Sequence, residues 1–207
     1  MVYTNPSLLS THYSLLTTHH SLHMLNYIAI IDKYYAHQPQ LRQILIAHSR
    51  QVADKALAIV DQHPEWITQG LVNRDFVEEA AMLHDIGIVL CQAEAIHCYG
   101  EHKYIEHGYL GAEILRQEGL PKHALVAERH TGTGITMEQV EWEQIPIPLK
   151  DYCPISLEEK IVCYADKFYS KTHIGEEKTL EKIKHQLWKH GQDSIIRWEA
   201  LVALIES

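Results

Sequence analysis

The stretch Asn73-Arg-Asp-Phe-Val-Glu-Glu-Ala-Ala-Met-Leu-His-Asp-Ile-Gly87 carries a helix start, an apolar stripe and a helix stop in one short run. Asn73 supplies a side-chain acceptor suited to the first turn of a helix. Val77, Ala80, Ala81 and His84 return at three- and four-residue steps, and Gly87 closes the segment. His84 therefore stands where helical periodicity calls for an apolar side chain. The same anomaly recurs on both sides. Upstream, Leu41, Ile44, Leu45, His48, Val52, Ala56, Ile59 and Val60 form one stripe interrupted by His48. Downstream, His107, Gly111, Ile114 and Leu115 form a stripe ended by Gly119. Pro121 suits the opening turn of the next helix, which carries Ala124, Val126, Ala127 and His130.

The rest of the chain supports the same fold class. Ser156 and Glu159 make a capping box for a helix with Ile161, Tyr164, Ala165 and Phe168 inward. Amphipathic stretches around Leu180–Trp188 and Ile195–Ile205 follow, with Trp188 and Trp198 expected in the core. Thr131-Gly-Thr-Gly134 reads as a turn, Thr136 and Gln139 as the cap of a short helix, and Pro146, Pro148 and Pro154 as an extended connection. Strand-like alternation is scarce. The expectation is an all-α fold, a single compact bundle of about seven helices over residues 24–207. Residues 1–23, a Ser/Thr/His-rich near-repeat of seven residues, read as a disordered low-complexity tail or a misassigned start.

With 46% hydrophobic and 22% charged residues in 207, a full core is available. The net charge of −9 argues against bulk nucleic-acid binding, although bound cations would let a nucleotide-sized anion approach. The apolar runs are too short for a membrane span, and the N-terminal stretch shows no basic region followed by a cleavable apolar segment, the first Lys or Arg being Lys33. Cys91, Cys98, Cys153 and Cys163 show no CxxC or zinc-ribbon spacing and read as reduced thiols. These features predict a soluble cytoplasmic protein.

The 16 histidines carry the chemistry. One inward histidine is ordinarily a hydrogen-bonded core residue. Four of them, His48, His84, His107 and His130, lie on four separate helices that must pack together, and a shared cation supplies partners to all of them at once. Asp85 and Asp166 sit among core positions where an unpaired carboxylate costs several kcal/mol. A divalent ion neutralises them. Mixed imidazole and carboxylate donors suit Mn, Fe, Co, Ni or Zn, with Mg less well matched.

The order His48 … His84-Asp85 … Asp166 resembles the motif of the HD superfamily of metal-dependent phosphohydrolases, and Leu83-His-Asp-Ile-Gly87 resembles its HDIG subgroup. Glu106-His107-Gly-Tyr-Leu-Gly-Ala-Glu-Ile-Leu115 and Glu128-Arg-His130 are similar to the additional histidines of two-metal members. The resemblance implies an HD domain in which His48, His84, Asp85 and Asp166 hold a first ion, while Asp85 bridges to a second completed by His107 and His130. It implies hydrolysis of a phosphomonoester or nucleotide-type phosphate by a metal-activated water beside Asp85. Lys167 is the first expected phosphate contact, with Arg129, His102 and Lys103 as further candidates. Ile88 in place of a lysine after Gly87, and the lack of a Gly-Tyr-Pro loop near Thr131, disfavour cyclic-di-GMP as substrate. The alternative is a metal-binding regulatory or nucleotide-binding module with little turnover. The expected partner is a small phosphorylated molecule, and no oligomeric state is implied. His37, His63, His123, His173, His185 and His190 share no spacing and are expected at surface or capping positions.

Overall fold

Asn73 Oδ1 accepts from the Phe76 N–H at 3.1 Å and so opens the helix of the central stripe, α4 (Arg74–Leu83). The computed structural model describes residues 25–207; the expected tail over residues 1–23 lies outside the described residues. Ahead of α4 come α1 (Tyr27–Tyr35), α2 (Pro39–Gln62) and α3 (Pro64–Thr68). After it come α5 (His107–Gln117), α6 (Pro121–Arg129), α7 (Met137–Trp142), α8 (Leu157–Asp166), α9 (Leu180–Leu187) and α10 (Gln192–Ile205). The fold is all-α. Ten α-helices among the described residues exceed the expected seven: α1 and α3 are too short to show a long stripe, and α7 is the short helix that Thr136 and Gln139 cap.

Three very short strands were not anticipated. β1 (Cys91–Ala93) pairs antiparallel with β2 (Cys98–Tyr99) and parallel with β3 (His102–Lys103), in the order β2-β1-β3. Strands of two or three residues carry too few alternations to be read. α4 also ends at Leu83 rather than at Gly87, and a 3₁₀ turn over Ile86–Leu90 follows. The reason is a backbone contact. A Cβ on Gly87 would lie 2.1 Å from the His107 carbonyl oxygen and 2.3 Å from the Gly111 nitrogen, so this turn rests directly on α5. The Tyr35 hydroxyl donates to the Ile86 carbonyl at 2.8 Å and fixes the turn from the other side.

α2 packs along α4 and α8, and α5 along α6. Two apolar clusters result. One holds Val52, Ala56, Val77, Ala81, Tyr164 and Trp198, the other Ile31, Leu41, Leu45, Leu83, Ile86 and Leu115. His48 lies on α2 between Leu45 of one and Val52 of the other, so the polar residues sit at the seam. Trp198 is buried as expected, whereas Trp188 is exposed. α9 ends at Leu187, and the 3₁₀ turn after it rotates Trp188 off the apolar face. His123, expected at the surface, is buried between α6 and α4, its Nε2 3.2 Å from Glu79 Oε2 and its ring centroid 4.8 Å from that of Phe76.

Two outcomes follow from this packing. Gly87→Ala forces the turn off α5 and should cost about 2–3 kcal/mol in urea unfolding. Burial holds the His123 imidazole below its ordinary pKa, opposed by Glu79. Its stabilisation is present in full above the unfolded value of about 6.5 and is lost as pH falls toward the folded value, because the unfolded chain protonates first. His123→Gln should flatten the decline of unfolding free energy between about pH 7 and 5, measured as parallel urea titrations.

Candidate metal centre

Asp85 is fully buried, and its two oxygens face different partners. Oδ2 lies 3.1 Å from His48 Nε2 and 3.0 Å from His84 Nε2. Asp166 Oδ1 closes this group at 3.0 Å from His48 Nε2 and 3.4 Å from His84 Nε2. Oδ1 of Asp85 looks the other way, 3.4 Å from His107 Nε2 and 3.3 Å from His130 Nε2, which are 3.1 Å from each other. Within each group, His48–His84–Asp85–Asp166 and Asp85–His107–His130, the donor atoms lie within 4.8 Å of one another. One carboxylate thus joins two donor groups.

Local folding aims the imidazoles. His84 Nδ1 donates to the Ala81 carbonyl at 2.6 Å, His107 Nδ1 to Tyr104 at 2.6 Å, and His130 Nδ1 to Ala127 at 2.7 Å. Each ring reaches the carbonyl three residues back, at a helix end for His84 and His130 and at the start of α5 for His107. A carbonyl only accepts, so Nδ1 carries the proton and Nε2 points its remaining position inward. Gly108 brings His107 toward His130, since a Cβ there would lie 2.8 Å from the Ala127 carbonyl. The rings of Tyr104 and His107 stack at 4.8 Å.

Such a centre is costly without a cation. Among the described residues, no hydrogen bond of sound geometry reaches His84 Nε2 or either Asp85 oxygen, although all three are buried. His107 and His130 set nitrogen against nitrogen. The donor set fits a divalent ion, which accepts imidazole and carboxylate together. The chain's own charges show the same demand. Burial would lower the His84 pKa, but Asp85 and Asp166 raise it to about 9. Burial dominates at His107, held near 3 against the pull of Asp85, and also depresses His130. Burial would raise both carboxyls, yet Asp85 is held well below the usual range by His84 and Lys171, and Asp166 by Lys167 and the histidines.

The remaining expected residues divide. Lys167 reaches the centre, with Nζ 2.8 Å from Asp166 Oδ2. Arg129 does not: its guanidinium turns to Glu159 at 3.0 Å and lies 3.8 Å from Glu128. Glu159, expected to complete a capping box, instead accepts from Arg129 and from the Ile155 N–H at 2.7 Å. His102 and Lys103 form β3 at the surface, with His102 Nδ1 3.1 Å from Glu106 Oε2. Lys171 was not anticipated. Its Nζ lies 2.5 Å from Asp85 Oδ2, yet it sits on a turn after α8 where no periodic pattern marks it. Lys178 holds that turn by donating to the Lys167 and Tyr169 carbonyls at 3.1 and 3.0 Å.

A cavity of about 420 Å³ opens beside Asp166. Lys167 and Lys171 line its inner end, and Tyr104, Ile96, Ile183 and Leu187 give it apolar walls. The HD domain family matches residues 45–170, which span all six donor residues. This chain belongs to the HD-domain family. The chain is 37% identical over 147 residues to an uncharacterized protein of Methanocaldococcus jannaschii, covering 70% of this chain and 76% of that one. It is 33% identical over 132 residues to a protein of Picrophilus torridus named tRNA (cytidine(56)-2'-O)-methyltransferase, covering 63% of this chain and 33% of that one. A protein of the same name from Thermoplasma volcanium is 32% identical over 127 residues, and the match spans 32% of its length. No solved structure matches the chain. No helix among the described residues is long and apolar enough to cross a membrane.

The HD domain should therefore take up divalent metal and be stabilised by it. Adding Mn²⁺ to chelator-treated protein should raise the melting temperature, by mass action on the folded state. Asp85→Asn, which weakens both donor groups together, should lose most of that rise in differential scanning fluorimetry, while a surface change such as Lys189→Ala should keep it.

Proposed function

We propose that this protein is a metal-dependent phosphohydrolase acting on a phosphomonoester or nucleotide-type phosphate. The observation that carries this reading is the sharing of Asp85 between two donor groups, one of which borders a lysine-lined cavity through Asp166. His48, His84, Asp85 and Asp166 would hold one divalent ion, and Asp85, His107 and His130 a second, of Mn, Fe, Co, Ni or Zn. Ions held there supply a water ionised near neutral pH and a countercharge for the phosphoryl oxygens.

The chain's own residues do the rest. Asp85 holds its negative charge throughout, because His84 and Lys171 keep its carboxyl well below the usual range. The carbonyl-bound Nδ1 atoms keep His84, His107 and His130 from rotating away. The Lys167 ammonium lines the cavity beside Asp166, where it can donate to a phosphate oxygen. The apolar walls of Ile96, Tyr104, Ile183 and Leu187 take the organic group of the ester and exclude water from it.

A regulatory or nucleotide-binding role without turnover is the competing reading. What favours it is that the matching segment makes up only about a third of two relatives that carry a methyltransferase name. One experiment separates the two. Metal content per chain is measured after purification without chelator, and phosphomonoesters, phosphodiesters and nucleotides are then screened with added Mn²⁺ or Ni²⁺. The phosphohydrolase reading expects bound metal and phosphate release that Asp85→Ala abolishes. Bound metal with no turnover on any ester supports the regulatory reading instead, and full activity in Asp85→Ala contradicts the mechanism.

A further inference from the structure

Lys171 lies one position beyond the stretch that matches the HD family. Its Nζ contacts the Asp85 oxygen that also faces His84 Nε2 at 3.0 Å and His48 Nε2 at 3.1 Å. An ion held by His48, His84 and Asp166 would draw on that same oxygen. Lys167 poses no such conflict, since it binds Oδ2 of Asp166 while the histidines face Oδ1. Lys171 also lines the 420 Å³ cavity, and its Nζ is 5.8 Å from the centroid of the Tyr104 ring that forms part of the wall. Its side chain has two places to put one positive charge: on Asp85, or toward an anion in the cavity.

We propose that Lys171 joins Lys167 in binding phosphate at this site, and that Lys171 and a divalent ion compete for Asp85 Oδ2 until a phosphate monoanion or dianion receives the lysine. This rests on the metal-dependent reading above. Two cations drawn to one oxygen repel each other, so Lys171 weakens metal binding while the cavity is empty. A phosphate in the cavity offers the ammonium a new partner and removes the conflict. Metal and phosphate then strengthen each other's binding through Lys171, by equal factors as linkage requires. Lys178 anchors the backbone just ahead of Ser170, through the Lys167 and Tyr169 carbonyls, which holds the start of the turn in place while the Lys171 side chain changes partner.

The test is calorimetric titration of Mn²⁺ into metal-stripped wild type, Lys171→Met and Lys171→Arg at one pH, with and without inorganic phosphate as the probe. Circular dichroism melts confirm that each variant is folded. Lys171→Met should bind Mn²⁺ about 10-fold more tightly than wild type when phosphate is absent. Phosphate should tighten Mn²⁺ binding about 10-fold in wild type and little in Lys171→Met, with Lys171→Arg retaining part of the effect. Equal or weaker Mn²⁺ binding by Lys171→Met, or an undiminished phosphate effect in it, overturns the role of Lys171 and leaves the metal centre standing. A wild type that takes up no Mn²⁺ overturns both. If Lys171→Met fails to fold, Lys171→Arg decides: a phosphate effect equal to none in that variant, against about 10-fold in wild type, also counts against a role carried by charge.

Discussion

A carboxylate with no exposed surface has to find positive charge inside the protein, and Asp85 governs the rest of this structure through that requirement. Four imidazoles and one ammonium surround it, drawn from α2, the end of α4, the start of α5, the end of α6 and the turn after α8. The bundle is arranged so that these elements can meet. The backbone of Gly87 lies against that of His107, which sets the distance between the end of α4 and the start of α5. The carbonyl bonds at Nδ1 then fix the rings of His84, His107 and His130 in place.

The work is divided along the chain. Residues within the family match build the donor groups, and much of the cavity's lining comes after it: Lys171, Ile183, Leu187 and His190. On the proposed reading, the lysines would hold the phosphate of an ester and the apolar walls would sort its organic group.

Much of the centre was legible in the sequence, because an inward histidine breaks a helical stripe visibly. His48, His84, His107 and His130 were found in this way, and Asp85 and Asp166 by their apolar neighbours. What escaped was whatever helical spacing does not encode. Lys171 sits on an irregular turn, so its approach to Asp85 depends on how that turn folds back over the bundle. Arg129 follows the same helix as His130, but its neighbour Glu159 on α8 captures it. His123 has no stripe partner of its own kind, and its burial comes from Phe76 and Glu79 on another helix. Trp188 matched the apolar spacing of α9 yet lies one residue past its end. The strands are simply too short to leave a pattern.

The most direct test of the central claim is anomalous diffraction from crystals grown with Mn²⁺. The account predicts a peak at bonding distance from Asp85 Oδ2, His48, His84 and Asp166, and a second on the Oδ1 side between His107 and His130. Saturating metal with no peak beside Asp85, and Lys171 still seated on that carboxylate, would contradict it.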